Sequence, residues 1–194
     1  MIPLDLIEER IVESIGVKER LISQGAVDVI ADMAEVMIAA LRGGHAMYVV
    51  GNGGSAADSQ HIAGEMVGRF LMRRRPLRCV ALTTDTSVIT AVGNDFGFQD
   101  IFLRQVEALV KEGDVLLALS TSGDSRNINS AVEEAKRLGA KVIALSGRKG
   151  GELAALADIC LTVPAETSPR IQEAHIMVAH ILCELVEKGV CADE

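Results

Sequence analysis

His61 and Glu65 stand four residues apart, just after a run of small residues, Gly51-Asn52-Gly53-Gly54-Ser55. That spacing puts both side chains on one face of a helix. Such a face can hold a metal ion, or a base with its partner; a plain surface pair has the same spacing. The preceding glycines let the backbone approach an anion closely. A helix start behind them adds free N–H groups and the positive end of a dipole. The run has neither the G-x-G-x-x-G spacing of a dinucleotide site nor the lysine of a P-loop, and a tight turn without a ligand would look the same. Ser120-Thr121-Ser122-Gly123-Asp124-Ser125 is more telling, because it places four hydroxyls within six residues. Capping by Ser125 or Asp124 accounts for one or two of them. Hydroxyls and backbone amides together can bind a phosphate without Arg or Lys. Near the C-terminus lie Gln172, His175 and His180. His180, within the apolar stretch VAHILCEL, reads either as a core histidine with one hydrogen bond or as a functional ring; His175 reads as structural. The one basic run, Met72-Arg73-Arg74-Arg75-Pro76, reads as a solvated helix end or loop, with a local phosphate contact as the alternative.

The elements that must position these residues follow from hydrophobic period. Residues 4–42 read as two helices parted at Gly25, the second ending at Gly43-Gly44. Short apolar runs at 46–50, 78–84, 114–120, 141–147 and 158–164 read as strands. Helices are expected at 55–71, where Ser55-Ala56-Ala57-Asp58 fits a capping box, and from Asp85 through Val92. Further helices are expected at 101–110, 126–138, from Gly150 onward, and over 168–188. Gly93-Asn94-Asp95-Phe96-Gly97 reads as a loop. Five strands alternating with helices predict an α/β protein: a five-stranded parallel sheet flanked on both faces, joined by right-handed crossovers. One domain covers 1–194, an N-terminal helical pair (1–44) preceding the α/β core (45–194). In such sheets ligands gather at the carboxyl ends of strands, where Gly51–Ser55 and Ser120–Ser125 fall.

Composition agrees. The chain has 194 residues, 49% of them hydrophobic, with no Trp and one Tyr. That length suits one domain, and the aliphatic balance suits helices packed on a parallel sheet. Four scattered cysteines, without a CxxC, read as reduced thiols in a cytoplasmic protein. The acidic start MIPLDLIEER has no signal-peptide core, and no apolar run is long enough to span a membrane. A formal net charge of −8 argues against nucleic acid as a partner.

GNGGSAADSQH, VGNDFG, LSTSGDS and RIQEAHIMVAH, in this order and spacing, resemble the sugar isomerase (SIS) family of phosphosugar-binding domains. The resemblance covers essentially the whole chain. It implies a flavodoxin-like SIS fold and an aldose–ketose isomerase that converts sedoheptulose 7-phosphate to D-glycero-D-manno-heptose 7-phosphate for bacterial surface glycans. It also implies a homotetramer with sites at subunit interfaces and one zinc ion per subunit. The implied zinc ligands are His61, Glu65, Gln172 and His180. The implied substrate contacts are Asn52, Gly53, Gly54, Ser55, Glu65, Asn94, Asp95, Ser120, Thr121, Ser122, Ser125 and Gln172. Glu65 and His180 are the implied acid–base pair. The family frequently carries an acid where this chain has Pro169. One branch of the family is a non-catalytic regulator that binds a replication initiator, and a sugar-phosphate sensor would share the same loops. Neither needs both Glu65 and His180. Gln172 and His180 would lie eight residues, about 12 Å, apart along one helix and about 80° apart around it. Shared ligation of one ion therefore predicts that they come from different chains.

Overall fold

Strand side chains that alternate between two apolar layers set the architecture. In the computed structural model, which describes residues 2–191, β1 (Met47–Gly51), β2 (Cys79–Ala81), β3 (Val115–Ser120), β4 (Lys141–Gly147) and β5 (Ile159–Val163) form one sheet in the order β2-β1-β3-β4-β5. Every neighbouring pair is parallel. Met47, Val49, Leu117, Leu119 and Leu145 point to one face. They pack there against α1 (Leu4–Ser23), α2 (Ala26–Arg42), α3 (Gly54–Val67) and α8 (Ser168–Cys191). Tyr48, Val50, Leu116, Ala118 and Ala144 point to the other face, toward α5 (Leu103–Leu109), α6 (Arg126–Arg137) and α7 (Gly151–Leu156). Strands buried on both faces need apolar residues at every position, hence the unbroken runs in the sequence.

The strand order reverses direction between β1 and β3. The loops after those two strands therefore diverge and open a crevice at their carboxyl ends. The first loop is Gly51–Ser55 and the second Ser120–Ser125. Below the crevice the buried Asp114 carboxylate accepts the N–H groups of Ala46 (2.8 Å) and Lys111 (2.9 Å), fixing the entries to β1 and β3. Above the first face runs α8, unbroken over 24 residues. It buries Ile171, Val178, Leu182 and Val186, each worth about 1.5–3 kcal/mol when fully covered.

Several expected details differ. The second strand is only three residues long, because it is an edge strand paired with β1 alone. α3 begins at Gly54, so Ser55 lies inside the helix; the cap position is Gly53, with φ +55° and no side-chain cap. The same helix stops at Val67 rather than residue 71, and the chain then runs irregularly to β2. α4 (Thr86–Asp95) is started by Asp85, whose carboxylate accepts the Val88 N–H at 3.0 Å. It continues through Gly93-Asn94-Asp95, which the glycine suggested was loop. A 3₁₀ turn at Phe98–Asp100 shortens the next helix. The basic run is not uniformly solvated, since the Arg74 side chain is 1% exposed.

Candidate active site

α3 carries the site from one end to the other. At its N-terminal end the backbone is held close to its neighbours. A Cβ on Gly54 would lie 2.5 Å from the Gln172 side-chain nitrogen, so glycine is what lets α8 seat its amide against the helix start. Asn52, in the preceding loop, forms a reciprocal amide pair with Asn127 on α6, at 2.9 and 2.8 Å. That pair ties together the two loops flanking the crevice. Ser55 is buried.

The second loop is organised by its own hydroxyls. Ser120 Oγ accepts the Gly123 N–H (3.1 Å) and lies 3.3 Å from Ser125 Oγ. Ser122 Oγ accepts the Asp124 N–H at 3.2 Å. Gly123 has φ +76°, and a Cβ there would strike the Gly150 carbonyl oxygen, so glycine is required for this turn. Thr121 Oγ1 lies 3.4 Å from the hydroxyl of Ser168, the first residue of α8. A cavity of about 320 Å³ opens beside this cluster, lined by Thr121, Ser122, Asp124, Arg148, Lys149 and Ser168 among others. Hydroxyls, a long helix's first turn and two cations make a suitable phosphate cradle. Ser168 was not singled out from the sequence. Its signal was a hydroxyl at the start of a helix following the last strand.

At the far end of α3 three side chains converge. His61 Nε2 lies 2.9 Å from His180 Nε2 and 3.4 Å from Glu65 Oε1. Phe70 stacks beside the His180 ring, with centroids 5.7 Å apart and planes 29° apart. Asp58 sits one turn before His61; burial holds its carboxyl above the ordinary range, a shift that His61 and His180 only partly offset. A ring, a ring and a carboxylate form a pair of proton-transfer groups, or most of a zinc site. The two rings stand at hydrogen-bond separation, and among the described residues no three His, Cys, Asp or Glu side chains are already arranged as a metal cage. Tetrahedral zinc with bonds of about 2.0–2.1 Å holds its donors about 3.3 Å apart. The His61–Glu65 spacing matches that figure, and the two rings need open by only a few tenths of an ångström. The donor set fits zinc on its chemistry.

Gln172 is not with them. It sits against Gly54, seven residues earlier on α3 than His61 and so about 10 Å along the axis. Asn94 and Asp95 form their own contact at the end of α4, Nδ2 to Oδ1 at 2.7 Å. His175 is structural: fully buried, its Nε2 is 3.2 Å from the Ser146 carbonyl, and burial pushes the ring down to about 4. Cys79, Cys160 and Cys183 are free thiols. Burial pushes the Cys79 and Cys183 thiols to about 12 and that of Cys160 to about 11, so they are unreactive. A cavity of about 650 Å³ lies between α1 and the start of α8, lined by Arg170 and Glu173 but not by His61, Glu65 or His180.

Residues 13–147 match the family model described as SIS domain. The chain is 56% identical to a phosphoheptose isomerase from Geobacter metallireducens over 161 residues, 83% of this chain and 85% of that one. It is 48% identical to a phosphoheptose isomerase from Clostridium acetobutylicum over 191 residues, 98% and 97% of the two chains. The structure is similar to that of a phosphoheptose isomerase from Francisella tularensis with a TM-score of 0.92, at 43% identity, covering 97% of this chain and 100% of that one.

Proposed function

The chain belongs to the phosphoheptose isomerase family of SIS domains, and we propose that it converts sedoheptulose 7-phosphate to D-glycero-D-manno-heptose 7-phosphate for bacterial surface glycans, with Glu65 and His180 moving the protons. The observation that carries the mechanistic reading is the meeting of His61 with both His180 and Glu65 at one end of α3, while a hydroxyl cradle lies toward the other. Along α3, Ser55 and Glu65 are about 15 Å apart, a span suited to an extended seven-carbon sugar phosphate.

The reaction moves one proton between adjacent carbons. Glu65 takes a proton from C1 of the ketose and returns it to C2. His180 protonates the C2 oxygen as the enediol forms, and then takes the C1 hydroxyl proton as the aldehyde forms, which restores its starting state. Glu65 is part-buried at 26% side-chain exposure, and the substrate would desolvate it further. An imidazole can donate a proton from one ring nitrogen and accept one at the other, so it can serve in both directions. In the free protein His61 and His180 share a hydrogen bond, so one ring donates and the other accepts. That hydrogen bond must open before His180 can face the sugar.

His61, Glu65 and His180 of one chain would hold a zinc ion, with the proton transfers falling to the Glu65 oxygen and the His180 ring nitrogen left off the metal. When bound, zinc supplies Lewis-acid polarisation of the substrate carbonyl. Gln172 would come from a second chain, because an unbroken α8 keeps it away from His180. A homotetramer with one zinc per subunit satisfies this arrangement. The exposed apolar face of α1, including Leu4, Leu6, Ile7, Ile11 and Val12, is suited to being covered by other subunits. Ser120–Ser125 and Ser168 hold the phosphate, with Asn52, Gly53, Gly54 and Ser55 closing over the sugar and Asn94 and Asp95 reaching it from α4. Free thiols at Cys79, Cys160 and Cys183 suit the cytoplasm, and no helix among the described residues is long and apolar enough to cross a membrane. The test is to add sedoheptulose 7-phosphate to the zinc-loaded protein and follow the anomeric proton of the aldose product by NMR. Appearance of that signal is expected; binding without turnover would leave a sensor or regulator instead.

A further inference from the structure

Behind the acid–base cluster lies a buried ion pair that the reaction does not use. Arg74 and Glu187 are each 1% exposed at the side chain, with Arg74 Nε 3.1 Å from Glu187 Oε1. A buried pair of this kind seldom adds net stability over an apolar pair of the same volume, so its value lies in what it specifies. Its partners show what that is. Arg74 donates to the backbone carbonyls of Glu65 (2.8 Å), Met66 (2.8 Å) and Gly68 (3.1 Å), closing the C-terminal end of α3. Glu187 accepts the N–H groups of Phe70 (2.9 Å), Leu71 (2.7 Å) and Met72 (2.7 Å). Burial pushes the Glu187 carboxyl up, but these three donors and Arg74 outweigh it and hold the group below its ordinary range. Glu187 lies about two turns beyond His180 on the same side of α8. The chain segment it grips presents Phe70 to the face of His180.

We propose that Phe70 is a positioning residue for His180, and that the Arg74–Glu187 pair holds both Phe70 and the Glu65 end of α3 in register with α8. The circuit closes on itself. Arg74 binds the Glu65 backbone, Glu187 binds Arg74 and the Phe70 backbone, Phe70 packs on His180, and His180 meets His61 one turn before Glu65. A stacked ring limits rotation of the imidazole about its side-chain bonds, which otherwise costs the proton transfer its alignment. The proposal rests on reading His180 as the proton-transfer partner.

The test uses the zinc-loaded full chain with three variants, Phe70→Leu, Phe70→Tyr and Glu187→Gln. Each is checked for folding and for metal content. Phe70→Leu is expected to lower kcat at least about tenfold with KM within about twofold, and Phe70→Tyr, which keeps the ring, to restore kcat. The chain has four histidines, so labelled imidazoles give four resolvable signals. Glu187 is remote from the His180 ring, yet Glu187→Gln is expected to move the His180 and His61 signals and leave His45 and His175 in place. Unchanged kcat in a folded Phe70→Leu overturns the proposal, as does failure of tyrosine to restore a lost kcat. Should Glu187→Gln not fold, the Phe70 pair decides. Should the wild type show no isomerase turnover, the function reading fails by itself, and the imidazole signals of Glu187→Gln still decide whether the brace positions His180.

Discussion

The two ends of α3 are built by opposite means. The N-terminal end uses backbone and hydroxyls: Gly54 against Gln172, an amide pair between Asn52 and Asn127, and serines satisfied by their own loop. The C-terminal end uses rings and charges brought from far apart, with His61 and Glu65 on α3, His180 and Glu187 on α8, and Phe70 and Arg74 between them. A polar, pre-satisfied loop is suited to holding a constant group, the phosphate. Titratable side chains that share hydrogen bonds with one another are suited to changing protonation. Binding and chemistry can thus be disturbed separately, and the variants below are ordered by how strongly they should do so.

The sharpest break falls at the reactive end. Glu65→Gln should fold as wild type and lose about 10²–10⁴-fold in kcat, the range for a positioned acid–base group, with little change in KM. Stopped assays with saturating sugar phosphate would measure it. Near-wild-type turnover would remove Glu65 from the proton path.

A second break separates the chains. Gln172→Ala and His180→Ala should each be nearly inactive alone. Co-refolded, they should regain part of the activity, because some mixed interfaces then hold both native residues. Mixed oligomers that form but stay dead would place both residues' roles within one chain, or leave Gln172 off the metal.

Disturbing the hydroxyl end should have a smaller and different effect. Ser122→Ala and Ser168→Ala should each raise KM about 10- to 100-fold, the cost of one hydrogen bond to a charged group, about 1.5–3 kcal/mol. The rate at saturation should hardly move, and inorganic phosphate should compete with substrate in the wild type. A fall in kcat with constant KM would erase the contrast between the two ends.

The mildest effect is on stability beneath the site. Folded His175 takes up a proton only below about 4, whereas the unfolded ring does so below about 6.5. Between those values protons favour the unfolded chain, so stability present above pH 6.5 is lost as pH falls toward 4. At pH 5 the loss from this ring is about 2 kcal/mol. His175→Gln keeps a donor for the Ser146 carbonyl and lacks the titration. Urea midpoints at pH 7.5 and pH 5 should therefore converge in the variant relative to wild type.

The amino-acid sequence determined the class of fold, the helical pair, all five strands and both crevice loops, because these depend on contiguous runs: apolar stretches for buried strands, glycines and serines for the turns. It also showed His61 and Glu65 on one helical face, since that depends only on spacing. Tertiary structure decided what depends on distant segments meeting. It brought His180 to His61 across 119 positions, seated Gln172 on Gly54, placed Ser168 beside Thr121, and buried Arg74 against Glu187. A three-arginine run reads as solvated because charge is costly to bury, and only a partner two turns beyond His180 on another helix could reverse that. Local periodicity specifies elements; which charge finds which partner is settled when α3 and α8 pack on the same face of the sheet.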